Sequence, residues 1–79
     1  MDRQTQIRQV IAQVAGKALD VDTDASLFES GILDSFALVT LVHGLEKEFA
    51  INIPDSDLIP QRFDSISRIE RYLAGILND

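Results

Sequence analysis

Three runs of apolar residues recur at helical spacing. The middle run passes through Leu38, Leu41, Val42, Leu45 and Phe49, the i, i+3, i+4, i+7 pattern of a helix with one buried face. It predicts a helix that begins at Ser35 or Phe36 and ends near Phe49 or Ala50. Beyond that point stands "INIP", where Pro54 disfavours helical backbone at Ile53. Upstream, Ile7, Val10, Ile11, Val14 and Ala18 predict a helix from Thr5 to about Ala18, with Arg8, Gln9 and Gln13 on its other faces. Downstream, Ile66, Ile69, Leu73, Ile76 and Leu77 mark the inner stripe of a last helix with Asp64 as its cap. Ser67 and Glu70 also have capping-box spacing, which would start that helix a turn later. Pro60 suits the first position of a short turn from Pro60 to Phe63. These elements define an all-α chain: a small four-helix bundle with three main helices and one short one, expected as a single domain over residues 1–79.

Between Leu19 and Asp34 the helical period lapses, and acidic and small residues accumulate. A helix–helix connection of about 16 residues is long, and such loops are usually structured or functional. Within it, Ser26 and Glu29 have capping-box spacing and Gly31 can end a single helical turn. Leu27, Phe28, Ile32 and Leu33 are expected to pin the loop to the core.

A core this small has little help available. A chain of this size buries only about 60% of its unfolded surface. The absence of cysteine removes both disulfides and thiolate metal sites. It also leaves the chain without a thiol nucleophile of its own, and fits a reducing, cytoplasmic setting. The N-terminal "MDRQTQIRQVIAQV" has neither the uninterrupted apolar stretch nor the small-residue cleavage site of a signal peptide. No segment approaches the roughly 20 apolar residues that span a bilayer. Seven Lys and Arg against thirteen Asp and Glu leave a net charge of −6. That surface repels phosphate backbones, so no nucleic-acid partner is expected, and it favours basic protein partners.

Two site chemistries fail on spacing. "DVDTD", residues 20 to 24, resembles the start of an EF-hand calcium loop. Counting from Asp20, however, Ala25 stands where the loop needs glycine and Gly31 where it needs the bidentate glutamate. No metal site is expected. Ser35 and His43, the one histidine, lie eight residues apart. On one helix that is about 12 Å along the axis, against a hydrogen-bond reach of about 3 Å. Nor do Leu33, Asp34, Phe36 and Ala37 form the glycine-flanked elbow of a serine hydrolase. No catalytic residue is expected.

Ser35 itself admits two readings. A serine ahead of an amphipathic helix is commonly its cap. Yet Phe36, Val39, Thr40 and His43 follow it along one side of the helix, roughly opposite Leu38, Leu41 and Leu45. Phe36 and Val39 are apolar where a solvated face should be polar. Either they pack under the long loop, or they form an exposed contact patch beside the serine.

The stretch "ASLFESGILDSFALVTLVHGLEKEFAINIPDSDL" resembles the acyl and peptidyl carrier proteins, and the likeness runs from about Ile7 to Leu77. Asp34-Ser35-Phe36 matches that family's Asp-Ser-Leu motif, with phenylalanine for the commoner leucine. "LEKEF" before "INIP" is similar to its closing "LEEEF" and isoleucine-proline step, and "FDSISRIERYL" to its final-helix entry. The resemblance implies that Ser35 Oγ accepts 4′-phosphopantetheine from coenzyme A, with Asp34 as motif neighbour, through a separate phosphopantetheinyl transferase. The arm's thiol then holds an acyl or aminoacyl group as a thioester, so the reactive group belongs to a cofactor.

It further implies a non-catalytic cytoplasmic carrier, expected as a monomer. Its partners would be a loading ligase and acyl-processing or transfer enzymes, which would meet Phe36, Val39, Thr40, His43 and Glu46. Fatty-acid carriers usually place several acidic residues soon after the serine. Here Ala37 and Thr40 occupy such positions, His43 replaces a common methionine, and Lys47 interrupts "LEKE". Fatty-acid synthesis partners should therefore meet this chain poorly. "GILDSF" also resembles D-alanyl carriers and stand-alone carriers of polyketide or nonribosomal peptide pathways, which favours a dedicated pathway. The alternatives are a general fatty-acid carrier and an unmodified helical adaptor.

Overall fold

The computed structural model describes residues 2–17 and 19–77. The first helix, α1, spans Arg3–Ala15. It starts earlier than the apolar pattern suggests because Asp2 caps it: the Asp2 carboxylate accepts the Thr5 N–H at 2.7 Å. That hydrogen bond also holds the Asp2 carboxyl below the usual carboxylate range. It stops earlier because Gly16 turns left-handed at φ 74°, and the Gly16 and Lys17 amides both close on the Ala12 carbonyl. Of the expected stripe, Ile7, Val10 and Ile11 are buried and Val14 is half-buried. Ala18 lies outside the described residues.

The second helix, α2, spans Ser35–Phe49, and the third, α3, spans Ile66–Leu77. Two 3₁₀ turns, Asp55–Asp57 and Pro60–Phe63, connect them. The second of these is the expected short element; the first went unforeseen. Leu38, Leu41, Val42 and Leu45 form the buried face of α2, with Phe49 packed at its edge. Ile66, Ile69 and Leu73 form that of α3, with Ile76 and Leu77 partly covered. Helix α1 is central and packs on both α2 and α3, while α3 also covers the second 3₁₀ turn. Where α1 and α2 meet, Gly44 admits a close approach. A Cβ there would stand 2.8 Å from Val10 Cγ1.

Asp64 is not the cap of α3. Ser65 is, accepting the Arg68 N–H on its hydroxyl at 3.2 Å. Ser67 does not cap either, because its hydroxyl donates to Asp24 at 2.7 Å. Asp64 instead faces the long loop, where its carboxylate accepts from the Ser26 hydroxyl at 2.7 Å and the Phe28 N–H at 3.3 Å. Its carbonyl accepts the Leu27 N–H at 2.6 Å. Local helix signals could not reveal this, since the partner lies some 38 residues away in sequence.

The long loop is held at many points. Arg8 donates to the Val21 carbonyl at 2.9 Å, and the Ser67 N–H donates to the Thr23 carbonyl at 3.0 Å. Ser26 Oγ accepts the Glu29 N–H at 3.1 Å, giving the expected single turn, which ends where Gly31 adopts φ 83°. The Leu27 carbonyl then accepts both the Ile32 and Leu33 amides at 3.0 Å. Leu27 and Leu33 are buried, and Phe28 and Ile32 pack against the core. The loop therefore delivers Asp34 and Ser35 to the start of α2 from a fixed direction.

Candidate functional site at the start of the second helix

Helix α2 is capped by Asp34. Its backbone is extended (φ −138°, ψ −173°), and its carboxylate accepts the Ala37 N–H at 2.8 Å. The Asp34 carbonyl takes the Leu38 N–H at 2.9 Å. This removes the capping reading of Ser35, which is instead the first residue within the helix. Serine and aspartate are about equally good caps, so the dipeptide alone could not say which would serve. Ser35 is exposed, and its hydroxyl makes no hydrogen bond to any described residue. An uncommitted hydroxyl at a helix N-terminus is well placed for a phosphodiester, because unpaired amides and the positive end of the helix dipole lie beside it.

The side of α2 that follows Ser35 is open. Phe36 is 87% exposed and Val39 45%, so neither packs under the loop, and both lie open on the surface beside Ser35. Thr40 and His43 are exposed along with them. The Thr40 hydroxyl makes only a long contact of 3.5 Å with the Phe36 carbonyl. Exposed phenylalanine is costly in water and marks an interaction surface more often than a scattered Val or Leu does. Glu46 is placed differently. It is partly buried, and its carboxylate accepts the Ile53 N–H at 2.8 Å, tying the segment after α2 back to the helix. Ile59, between the two 3₁₀ turns, is a third exposed large apolar residue that the sequence pattern did not single out.

The acidic loop at 20 to 24 is occupied with structural bonds. The Val21 and Thr23 carbonyls and the Asp24 carboxylate all accept hydrogen bonds from α1 or α3 residues. Among the described residues, no group of three or more His, Cys, Asp or Glu side chains could hold a metal ion. No helix among them is long and apolar enough to cross a membrane.

A small helical bundle that presents an uncommitted serine at a helix start, beside an open apolar face, is the architecture of a carrier domain. The chain belongs to the phosphopantetheine attachment site family, whose pattern it matches over residues 5–73. The family's group is 4′-phosphopantetheine, covalently attached, and the exposed α2 start is compatible with it. The aminoacyl carrier protein of Agrobacterium fabrum is 39% identical over 75 residues, covering 91% of this chain and 89% of that one. The D-alanyl carrier protein of Lactobacillus acidophilus is 24% identical over 79 residues, covering all of both chains. In the crystal structure of Bradyrhizobium japonicum glycine:carrier protein ligase complexed with glycylated carrier protein, one chain superposes with a TM-score of 0.74. It is 35% identical, and the match covers 87% of this chain and 95% of that chain.

Proposed function

We propose that residues 1–79 act as one aminoacyl carrier domain of a dedicated pathway, with the phosphopantetheine arm joined to Ser35. The observation that carries this reading is the division of labour at the start of α2: Asp34 supplies the cap, and the Ser35 hydroxyl is left exposed and unbonded. The chain's own residues then have three tasks. The loop fixes the approach to α2, Asp34 stabilises the helix start, and the unpaired amides of the helix start would meet the phosphate of the arm. A separate phosphopantetheinyl transferase installs the arm and the arm supplies the thiol, so no residue of the chain needs to act as acid or base and the chain is no enzyme itself.

Amino acid cargo is supported by the relatives, which are D-alanyl and aminoacyl carriers and a glycylated carrier. An aminoacyl-loading ligase is thus the first partner, and a transfer enzyme that removes the aminoacyl group is the next. The cytoplasm suits both the coenzyme A-dependent modification and a chain without cysteine. We assign partner contact to Phe36, Val39, Thr40 and His43, and give Glu46 the structural task of holding Ile53. Because Ala37 and Thr40 stand where fatty-acid carriers are often acidic, a general fatty-acid role is the poorer reading.

The test loads the phosphopantetheine-bearing protein with a glycine- or D-alanine-activating ligase and ATP, and separately with malonyl-coenzyme A and a fatty-acid synthesis transacylase. Intact mass should register one aminoacyl group from at least one ligase and little malonyl transfer. Efficient malonyl loading, with neither ligase active, would overturn the reading.

A further inference from the structure

A second surface has the opposite character. Gln61, Arg62, Arg68, Arg71 and Tyr72 line a cavity of about 280 Å³, open to solvent, between the second 3₁₀ turn and α3. In a chain of net charge −6, three of the seven cationic side chains converge there, and none of the lining residues is acidic. One neighbouring carboxylate offsets part of that positive charge. Asp57 pairs with Arg62 at 3.2 Å and accepts from the Tyr72 hydroxyl at 2.7 Å.

Two of the arginines are oriented from within the protein. Arg62 lies 5.8 Å from the centre of the Tyr72 ring, and that ring packs edge-on against buried Phe63 at 5.3 Å. Arg68 donates to the Gln61 carbonyl at 3.2 Å, which satisfies one of its five N–H groups and leaves its charge uncompensated. Arg71 is exposed and makes no side-chain bond to a described residue. The cavity is thus a partly preorganised set of guanidinium forks around an aromatic wall.

We propose that this cavity docks an acidic segment of a partner protein, independently of the face beside Ser35. Three features select that occupant. Arginine and tyrosine are the residue types enriched where protein partners meet, and every cation here is arginine rather than lysine. Guanidinium forks match carboxylates in a planar, two-bond geometry. Exposed charge pairs are individually weak, so a lone small anion gains little here, whereas a segment carrying several carboxylates engages more than one arginine together. The α3 surface also lies on a different element from the open side of α2, so one carrier could hold both contacts.

The experiment uses the full chain labelled with nitrogen-15 and a peptide of four consecutive glutamates with neutral flanks. Amide shifts should move chiefly between residues 61 and 72, with an affinity that falls steeply as salt rises. Arg71→Glu reverses one exposed pairing and should weaken binding by about tenfold, with an unchanged circular dichroism spectrum because Arg71 has no bond to lose. Ser35→Ala should bind the peptide as the wild type does, which separates this result from the fate of the phosphopantetheine reading. The proposal is overturned by shifts scattered over the molecule, by salt-insensitive binding, or by undiminished affinity in Arg71→Glu. Inorganic phosphate that reproduced the shifts at similar affinity would overturn it in favour of a small-anion site. The same shifts on raising protein concentration alone would overturn it in favour of self-association.

Discussion

Exchanging the roles of two neighbouring residues gives a sharp test of the site's geometry. Asp34 caps α2 through a 2.8 Å hydrogen bond from Ala37 N–H, whereas the Ser35 hydroxyl bonds to no described residue. Asp34→Ala removes the side-chain acceptor of the Ala37 amide. Loss of such a cap costs about 0.5–2 kcal/mol, with about 1 kcal/mol the central value. For a domain of this size that corresponds to a melting temperature lower by about 4–8 °C. Asp34→Asn keeps an acceptor oxygen and should cost only a few tenths, since asparagine caps about as well as aspartate. Ser35→Ala removes an exposed, unbonded hydroxyl from the first helical position and should stay within about 0.5 kcal/mol of wild type. Urea titrations followed by circular dichroism, on protein lacking the arm, read all three as midpoint shifts at constant slope. If Ser35→Ala proved as destabilising as Asp34→Ala, the serine would be the cap and its availability for modification would lose its structural basis.

Other consequences are open to measurement. Leu45 is fully buried on α2, so Leu45→Ala should cost about 2–5 kcal/mol by denaturant titration; a loss below about 1 kcal/mol would misplace the core face. Gly44→Ala drives a Cβ to 2.8 Å from buried Val10 and should lower stability despite alanine's helical preference, while Gly75→Ala, with open space around it, should gain about 1 kcal/mol. Partial burial, and then the hydrogen bond to Asp57 and its charge, push the Tyr72 phenol up to about 12. Tyr72 is the one tyrosine, so ultraviolet titration of the phenolate should place its midpoint well above 10. Because the folded state holds that proton more tightly than the unfolded chain, stability should fall as pH rises from about 10 to 12, and Tyr72→Phe should flatten that slope.

The three helices were legible because each buries one face, and a buried face writes its period into the sequence. Leu38, Leu41, Val42 and Leu45 needed no tertiary information to be placed inward. Boundaries were less legible wherever several residues could serve as cap. Asp2 extended α1, Asp34 displaced Ser35, and Ser65 displaced Asp64, each decided by which side chain lay within reach of a free amide. Asp64 shows why: its bonds to Ser26 and Phe28 join segments that sequence spacing cannot relate. At the candidate site, the motif led to Ser35, but only the folded chain could establish that Phe36 and Val39 stay exposed. The arginine cavity had a faint signal, three cations within ten residues of chain, yet its concavity depends on how the second 3₁₀ turn packs on α3.

Attachment of the arm to Ser35 is the central claim, and peptide-level mass spectrometry tests it most directly. The protein is incubated with coenzyme A, magnesium and a broad-specificity phosphopantetheinyl transferase, digested, and fragmented to locate the added group. Wild type should gain one phosphopantetheine, carried by Ser35 in the peptide that contains "GILDSF", and folded Ser35→Ala should gain none. Modification of another residue, or undiminished modification of Ser35→Ala, would contradict the account.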